Sequence, residues 1–202
     1  MPVRSTSKAV LFTSCHPPTR PAPAAADVQV ALPAGEEGER AALQALVRRA
    51  RDTVARTTGV PAPRTIRNTV HSTVESFGRA TGQPWWAAGA TSGTGIDLLP
   101  LTILKQRGQL ERTVRHEVAH ALLDGALSSR PMWVREGAAI VLSRPPTDVG
   151  EASGTSTGRV SCPSDAEILR PISAGAQRDA YERAATCFER ALASGKKWDE
   201  VR

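Results

Sequence analysis

Two histidines spaced four residues apart, on a stretch with helical periodicity, constrain this chain more than any other feature in it. The stretch reads His116-Glu117-Val118-Ala119-His120. Four residues of α-helix turn through ~400° and rise ~6 Å, so the two imidazoles stack on one face and can share a metal ion. Glu117 projects about a quarter turn from the His116 direction. It is near enough to take a proton from a water held there without being a ligand itself. Leu110, Val114, Val118, Ala121 and Leu122 recur at helical spacing on the other side. Residues 109 to 124 therefore read as an amphipathic helix whose apolar stripe faces away from the histidines, with Gly125 as its stop.

A third candidate ligand, Glu136, follows His120 by sixteen residues, in a second short helix begun by Pro131 and ended before Pro145 and Pro146. Two His and one carboxylate leave a fourth coordination position open, as catalytic zinc requires. The pair H-E-x-x-H and W-x-x-E-G-x-A, here His116 to His120 and Trp133 to Ala139, resembles the gluzincin metallopeptidases, in particular the small bacterial peptidase MA-like domains. The match covers roughly residues 84 to 142. By that resemblance His116, His120 and Glu136 would be ligands to Zn2+, Glu117 the general base and acid, and the activity zinc-dependent hydrolysis of peptide bonds. Gly137 would let another segment approach the ligand-bearing turn closely. Ile140 stands where the thermolysin branch places a carboxylate behind a histidine ligand, so any such partner must come from elsewhere. The aminopeptidase branch carries a Glu on the strand before the active helix to hold a free amine. None is present here, which points to an endopeptidase.

Composition bounds the alternatives. The 202 residues suffice for one domain with a core, and 40% hydrophobic content is ordinary for a soluble protein. The net charge is +6, but the arginines are scattered and aromatics make up only 4%, so no basic run is interleaved with stacking residues and nucleic acid is not an expected partner. No stretch approaches the ~20 apolar residues of a membrane span. The expected partner is a peptide or protein substrate, and the expected state a monomer. Residues 1 to 30 do not read as fold. Two basic residues in Met1 to Lys8, a short apolar run from Ala9 to Cys15 and a Pro/Ala-rich stretch to Ala26 read as an export signal remnant or a disordered tail, and Cys15 faintly suggests a lipidation site. Residues 31 to 202 read as the single metallopeptidase-like domain. Cys162 and Cys187 flank the C-terminal helical region, and one disulfide between them fits an exported protein, whether periplasmic, secreted or attached to the envelope.

Elsewhere the pattern is helix from Glu36 to about Thr57, strand from Thr65 to His71, and a short helix to about Thr81 opened by the capping-box spacing of Ser72 and Glu75. Trp85 to Thr91 and Ile96 to Leu99, separated by Ser92-Gly-Thr-Gly95, read as an antiparallel hairpin. By the resemblance to metallopeptidases, its first strand, with Ala88-Gly89-Ala90, would be a sheet edge that pairs with extended substrate. Ser143 to Gly158 reads as a loop and Ala176 to about Ala193 as a helix with Tyr181, Ala184, Phe188 and Leu192 on one stripe. Tyr181 is either a core residue or a catalytic group that stabilises an oxyanion opposite the metal. Asp124, in the last turn of the active helix, either orients a ligand, meets Arg130 or Arg135, or is simply solvated. His71 and His16 lack ligand spacing. The expected fold is α+β and zincin-like, a small mixed β-sheet packed on an active-site helix and followed by a helical C-terminal part. The rival expectation is a non-catalytic zinc-binding or peptide-binding module of the same fold.

Overall fold

The computed structural model describes residues 27–144 and 160–202. Residues 1 to 26 of the expected export segment, with Cys15 and His16, and positions 145 to 158 of the expected loop lie outside the described residues. Four strands form one sheet in the order β1-β2-β4-β3, where β1 is Asp27–Ala31, β2 Thr65–Val70, β3 Gly89–Ser92 and β4 Gly95–Leu98. The first three in that order run parallel and β3 closes antiparallel on β4. Helix α1 (Arg40–Thr58) links β1 to β2, α2 (Val74–Thr81) follows β2, and α3 (Leu101–Gln106) leads from the sheet into α4 (Leu110–Leu123). After α5 (Met132–Leu142) come α6 (Asp165–Leu169) and the long α7 (Ala174–Ala193). This is the α+β architecture expected, a small mixed sheet packed on the histidine-bearing helix with a helical C-terminal part.

Strand alternation sets the core. Val28, Val30, Ile66, Val70, Ile96 and Leu98 point to one face and are buried, while Gln29, Arg67 and Thr69 point to the other and are exposed. Helix α1 packs on β1 and α4, and α4 packs beneath β3 and β4, so the buried face is closed by Leu43, Val47 and Val54 from one helix and Val114, Val118 and Leu122 from the other.

Strand β1 takes in residues ahead of 31, since Asp27-Val-Gln-Val-Ala31 alternates in strand fashion and buries both valines. Elsewhere the sequence expectations need three corrections. The cap of α2 lies one residue later than Ser72. Thr73 is extended, its hydroxyl accepts from the Ser76 N–H, and Ser76 reciprocates to the Thr73 N–H, with serine in the place expected of Glu75. The first hairpin strand is shorter than Trp85 to Thr91, since Pro84 to Ala87 closes a turn through the Ala87 N–H and the Pro84 carbonyl at 2.9 Å. Helices α3 and α6 were not expected at all. The hairpin itself turns where anticipated, on Gly93-Thr94 with Gly93 at φ 58°.

The two edges of the sheet differ. The Asp27 N–H bonds the Arg64 carbonyl on the β2 side, so the carbonyls of Val28 and Val30 face outward, and side chains of α1 cover them: Gln44 Nε2 donates to Val28 at 2.9 Å, and Arg40 donates to Val30. On β3 the Leu99 N–H bonds the Ala88 carbonyl, so by antiparallel alternation Ala88, Ala90 and Ser92 are spent on β4. The backbone groups of Gly89 and Thr91 face the open edge.

Helix α7 reaches the rest of the molecule through α5. A Cβ built on Gly137 would lie 2.6 Å from the Ala184 carbonyl oxygen and 2.7 Å from Phe188 Cβ, so only glycine allows this approach. The Cys162–Cys187 disulfide, with Cα atoms 5.8 Å apart across 25 residues of sequence, ties the segment before α6 to α7 and contributes roughly 3 kcal/mol by restricting the unfolded chain. Gly137→Ala is expected to force α5 and α7 apart at a cost of about 1–3 kcal/mol, which lowers the melting temperature by ~2–4 °C per kcal/mol at this size. Gly125→Ala, where an added Cβ meets nothing within 4 Å, is the control and should melt as the parent does. Equal melting of both variants would contradict the close-packing account.

Candidate metal centre

Helix α4 places His116 and His120 one turn apart with their Nε2 atoms 3.1 Å from each other. Helix α5 brings in Glu136, whose Oε2 lies 3.3 Å from His116 Nε2 and 3.4 Å from His120 Nε2. Ligands 2.0–2.1 Å from a tetrahedral metal are separated by about 3.3–3.4 Å, so these three atoms have the spacing of one face of that tetrahedron. Glu136 is 6% exposed and its Oε2 is buried with no hydrogen-bond donor among the described residues. A buried carboxylate oxygen without a donor, facing two imidazole nitrogens, is what a divalent cation would satisfy. Among the described residues this is the cluster of His, Cys, Asp and Glu able to hold a metal ion.

The helix that carries the histidines also braces one of them. His120 Nδ1 is 3.0 Å from Asp124 Oδ1, one turn further along α4, and Arg135 Nη2 donates to the other carboxylate oxygen at 2.6 Å. Of the readings open for Asp124, contact with a histidine of the cluster and with Arg135 is what the structure shows, while Arg130 bonds the Asp199 carbonyl instead. This hydrogen bond gives His120 a fixed ring orientation and presents Nε2 to the cluster.

The charges are coupled. Burial would raise the Glu136 carboxyl, but the His120 charge and the close approach of both imidazoles outweigh it and hold the group far below the usual carboxylate range. Burial likewise pulls His120 down, yet the charge of Glu136 and the bond from Asp124 push it well above the ordinary histidine value. Asp124 is lowered despite its burial, first by His120 and then by Arg135.

Glu117 is 6% exposed and sits under the open strand β3. Thr91 Oγ1 donates to its Oε2 at 2.7 Å, and a Cβ on Gly89 would lie 2.9 Å from its Oε1, so the glycine lets the strand cross directly over the carboxylate. Tyr181, from α7, stacks on His116 with ring centroids 6.0 Å apart and planes inclined by 26°. Burial, then the nearby Glu136 charge, raise its phenol well above the usual range, so it stays protonated and can donate. Gln177 Nε2 contacts the phenol oxygen at 3.4 Å. All the site residues expected from sequence thus converge on one cleft, Tyr181 included. His71 does not join them. It bonds Asp97 at 2.7 Å and packs edge-on against Phe77. Thr91 and Gly89 had no sequence signal as partners of Glu117, because the contact spans 26 residues.

No protein-family model matches the chain, and neither the curated proteins nor the solved structures contain a match to it.

The opposed shifts of Glu136 and His120 predict a stability window for protein kept metal-free by a chelator. Glu136, depressed in the fold, stabilises above the ordinary carboxylate value of 4.5 and loses this as pH falls toward its folded value. His120, raised in the fold, stabilises below the ordinary histidine value of 6.5 and loses this as pH rises through its folded value. The difference in melting temperature between the parent and His120→Ala should therefore be greatest between pH 4.5 and 6.5. A difference that keeps growing above pH 7 would refute the assignment.

Proposed function

We propose that this protein is a zinc-dependent peptide-bond hydrolase of the gluzincin, peptidase MA-like kind. The observation that carries the reading is the triangle of His116, His120 and Glu136 donor atoms at tetrahedral spacing, with Glu117 held next to it beneath an open sheet edge. Those three residues would hold zinc, which when bound supplies Lewis acidity to a carbonyl oxygen and acidifies a water.

The protein's own groups do the remainder. Glu117 accepts the proton of the attacking water and delivers it to the leaving amine, with Thr91 fixing one carboxylate oxygen so that the other is free for the transfer. Tyr181 donates its phenol proton in a hydrogen bond to the carbonyl oxygen as that oxygen gains charge, a role supported by its neutral state and its stacking on His116. Asp124 and Arg135 hold His120 in orientation. An extended peptide pairs with the outward backbone groups of Gly89 and Thr91, which places its scissile bond over the cluster. The cleft measures about 2020 Å³, larger than the ~300–1,000 Å³ of a small-molecule site, and this favours a chain-like substrate. The Cys162–Cys187 bridge supports export to an oxidising compartment. The rival, a non-catalytic module of the same fold, has no use for a carboxylate held beside the ligands.

His120→Ala should lose stoichiometric zinc. Glu117→Gln should keep zinc and lose turnover by roughly 10²–10⁴-fold, because the ligands stay and the base goes. Full activity in Glu117→Gln, measured against metal content, would remove the mechanism, whereas zinc binding with no turnover in the parent would leave the binding module. Peptides acetylated at the N-terminus should be cut as fast as free ones. Stepwise release of residues from unblocked peptides alone would instead indicate an aminopeptidase.

A further inference from the structure

The walls of the cleft change character along α4. Upstream of the cluster are Arg107, just after α3, and Arg112, one helical turn or ~6 Å before His116 on the same face. Both are exposed, and neither has a carboxylate partner within 4 Å among the described residues. Most other charges lining the cleft are already answered: Arg115 by Glu111, Arg135 by Asp124, Arg144 by Glu189 and Asp97 by His71. On α7, Arg190 donates to the Val160 carbonyl and Arg178 has no carboxylate within 4 Å among the described residues. At the α3–α4 end the cleft thus presents two exposed cations, Arg107 and Arg112, that no carboxylate answers.

The opposite end is apolar. Beyond His120, Asp124 meets Arg135 of α5; the first residue of that helix, Met132, donates its N–H to Asp165 Oδ1 at 2.8 Å and so fixes the start of α6 beside it. Met132, Ile168, Leu169 and Pro171 line the cleft there. Leu169 is 60% exposed, which is unusual for a large apolar side chain in the described part of this protein. An exposed leucine on the wall of a cleft is available to a ligand.

The geometry points to a peptide substrate with an acidic residue on one side of the scissile bond and a bulky apolar residue on the other, the acid met by Arg107 and Arg112 and the apolar side chain by Leu169, Ile168 and Met132. This rests on the hydrolase reading and adds the substrate class to it. Since Arg112 is one turn from a ligand, the acid lies within about two residues of the bond.

The test is a quenched-fluorescence series on one peptide scaffold, in which the residues flanking the central bond are Glu/Leu, Gln/Leu, Lys/Leu and Glu/Ser in both orders. With the zinc-loaded full chain at low ionic strength, kcat/KM for one order of Glu/Leu should exceed that of its Lys/Leu counterpart by roughly tenfold, and the ratio should shrink as salt is added. The Arg107→Glu, Arg112→Glu double variant should invert the ratio, and Leu169→Ser should narrow the gap between Glu/Leu and Glu/Ser. Both variants change exposed side chains, and zinc content checks that each still folds. A Glu-to-Lys ratio near one in the parent, or a ratio unchanged in the double variant, would overturn the proposal. If no peptide is cut, the hydrolase reading fails, and fluorescence anisotropy of the same labelled peptides decides the substrate class by itself. Tighter binding of Glu/Leu than Lys/Leu, reversed in the double variant, sustains it; binding without charge discrimination, or no binding, overturns it.

Discussion

Helix α5 is held between two neighbours at adjacent residues. Glu136 turns toward α4 to complete the triangle of donor atoms, and Gly137 offers bare backbone to α7, where any larger residue would meet the Ala184 carbonyl. The triangle tolerates little movement, because an error of an ångström in Glu136 would take its oxygen out of reach of a metal shared with both imidazoles. Close packing behind the ligand removes that freedom. The same contact delivers Tyr181 to His116, since α7 can lie against the cluster only if it first lies against α5. The disulfide at Cys187 then secures α7 to the segment that leads into α6.

A second link between α4 and α5 answers the missing carboxylate at position 140. Arg135, the residue before Glu136, reaches across to Asp124, which in turn bonds His120. Adjacent residues of α5 therefore supply one donor atom of the triangle directly and anchor another at one remove. The arrangement places Asp124 on the same helix as the histidine it orients, four residues on, where helical geometry guarantees the approach. It also explains the electrostatics. Glu136 faces the two imidazoles and Asp124 faces His120 and Arg135, so two carboxylates that burial alone would protonate stay ionised.

The sheet contributes through the difference between its edges. The side chains of Arg40 and Gln44 occupy the outward carbonyls of β1, which blunts that edge against unwanted pairing. The edge at β3 keeps its outward groups and passes directly over Glu117, an approach that glycine at position 89 permits. The open sheet edge and the candidate proton carrier are therefore in contact, and Thr91 belongs to both.

Much of the centre was legible in the order of the residues. The spacing of His116 and His120, the apolar stripe of α4, the start of α5 after Pro131 and the hairpin glycines are local patterns, and local backbone geometry turns each into a definite shape. Less was legible at the N-terminal boundary, where the alternation of Val28 and Val30 follows directly on a Pro/Ala-rich tail, and at the cap of α2, where two hydroxyl residues competed one position apart. The bond between Thr91 and Glu117, the choice of Arg135 over Arg130 as the partner of Asp124 and the stacking of Tyr181 on His116 had no local signal at all. Periodicity states which side of an element will be buried. Which element covers it depends on the packing of segments far apart in the chain, and that was decided only when α5 settled between α4 and α7.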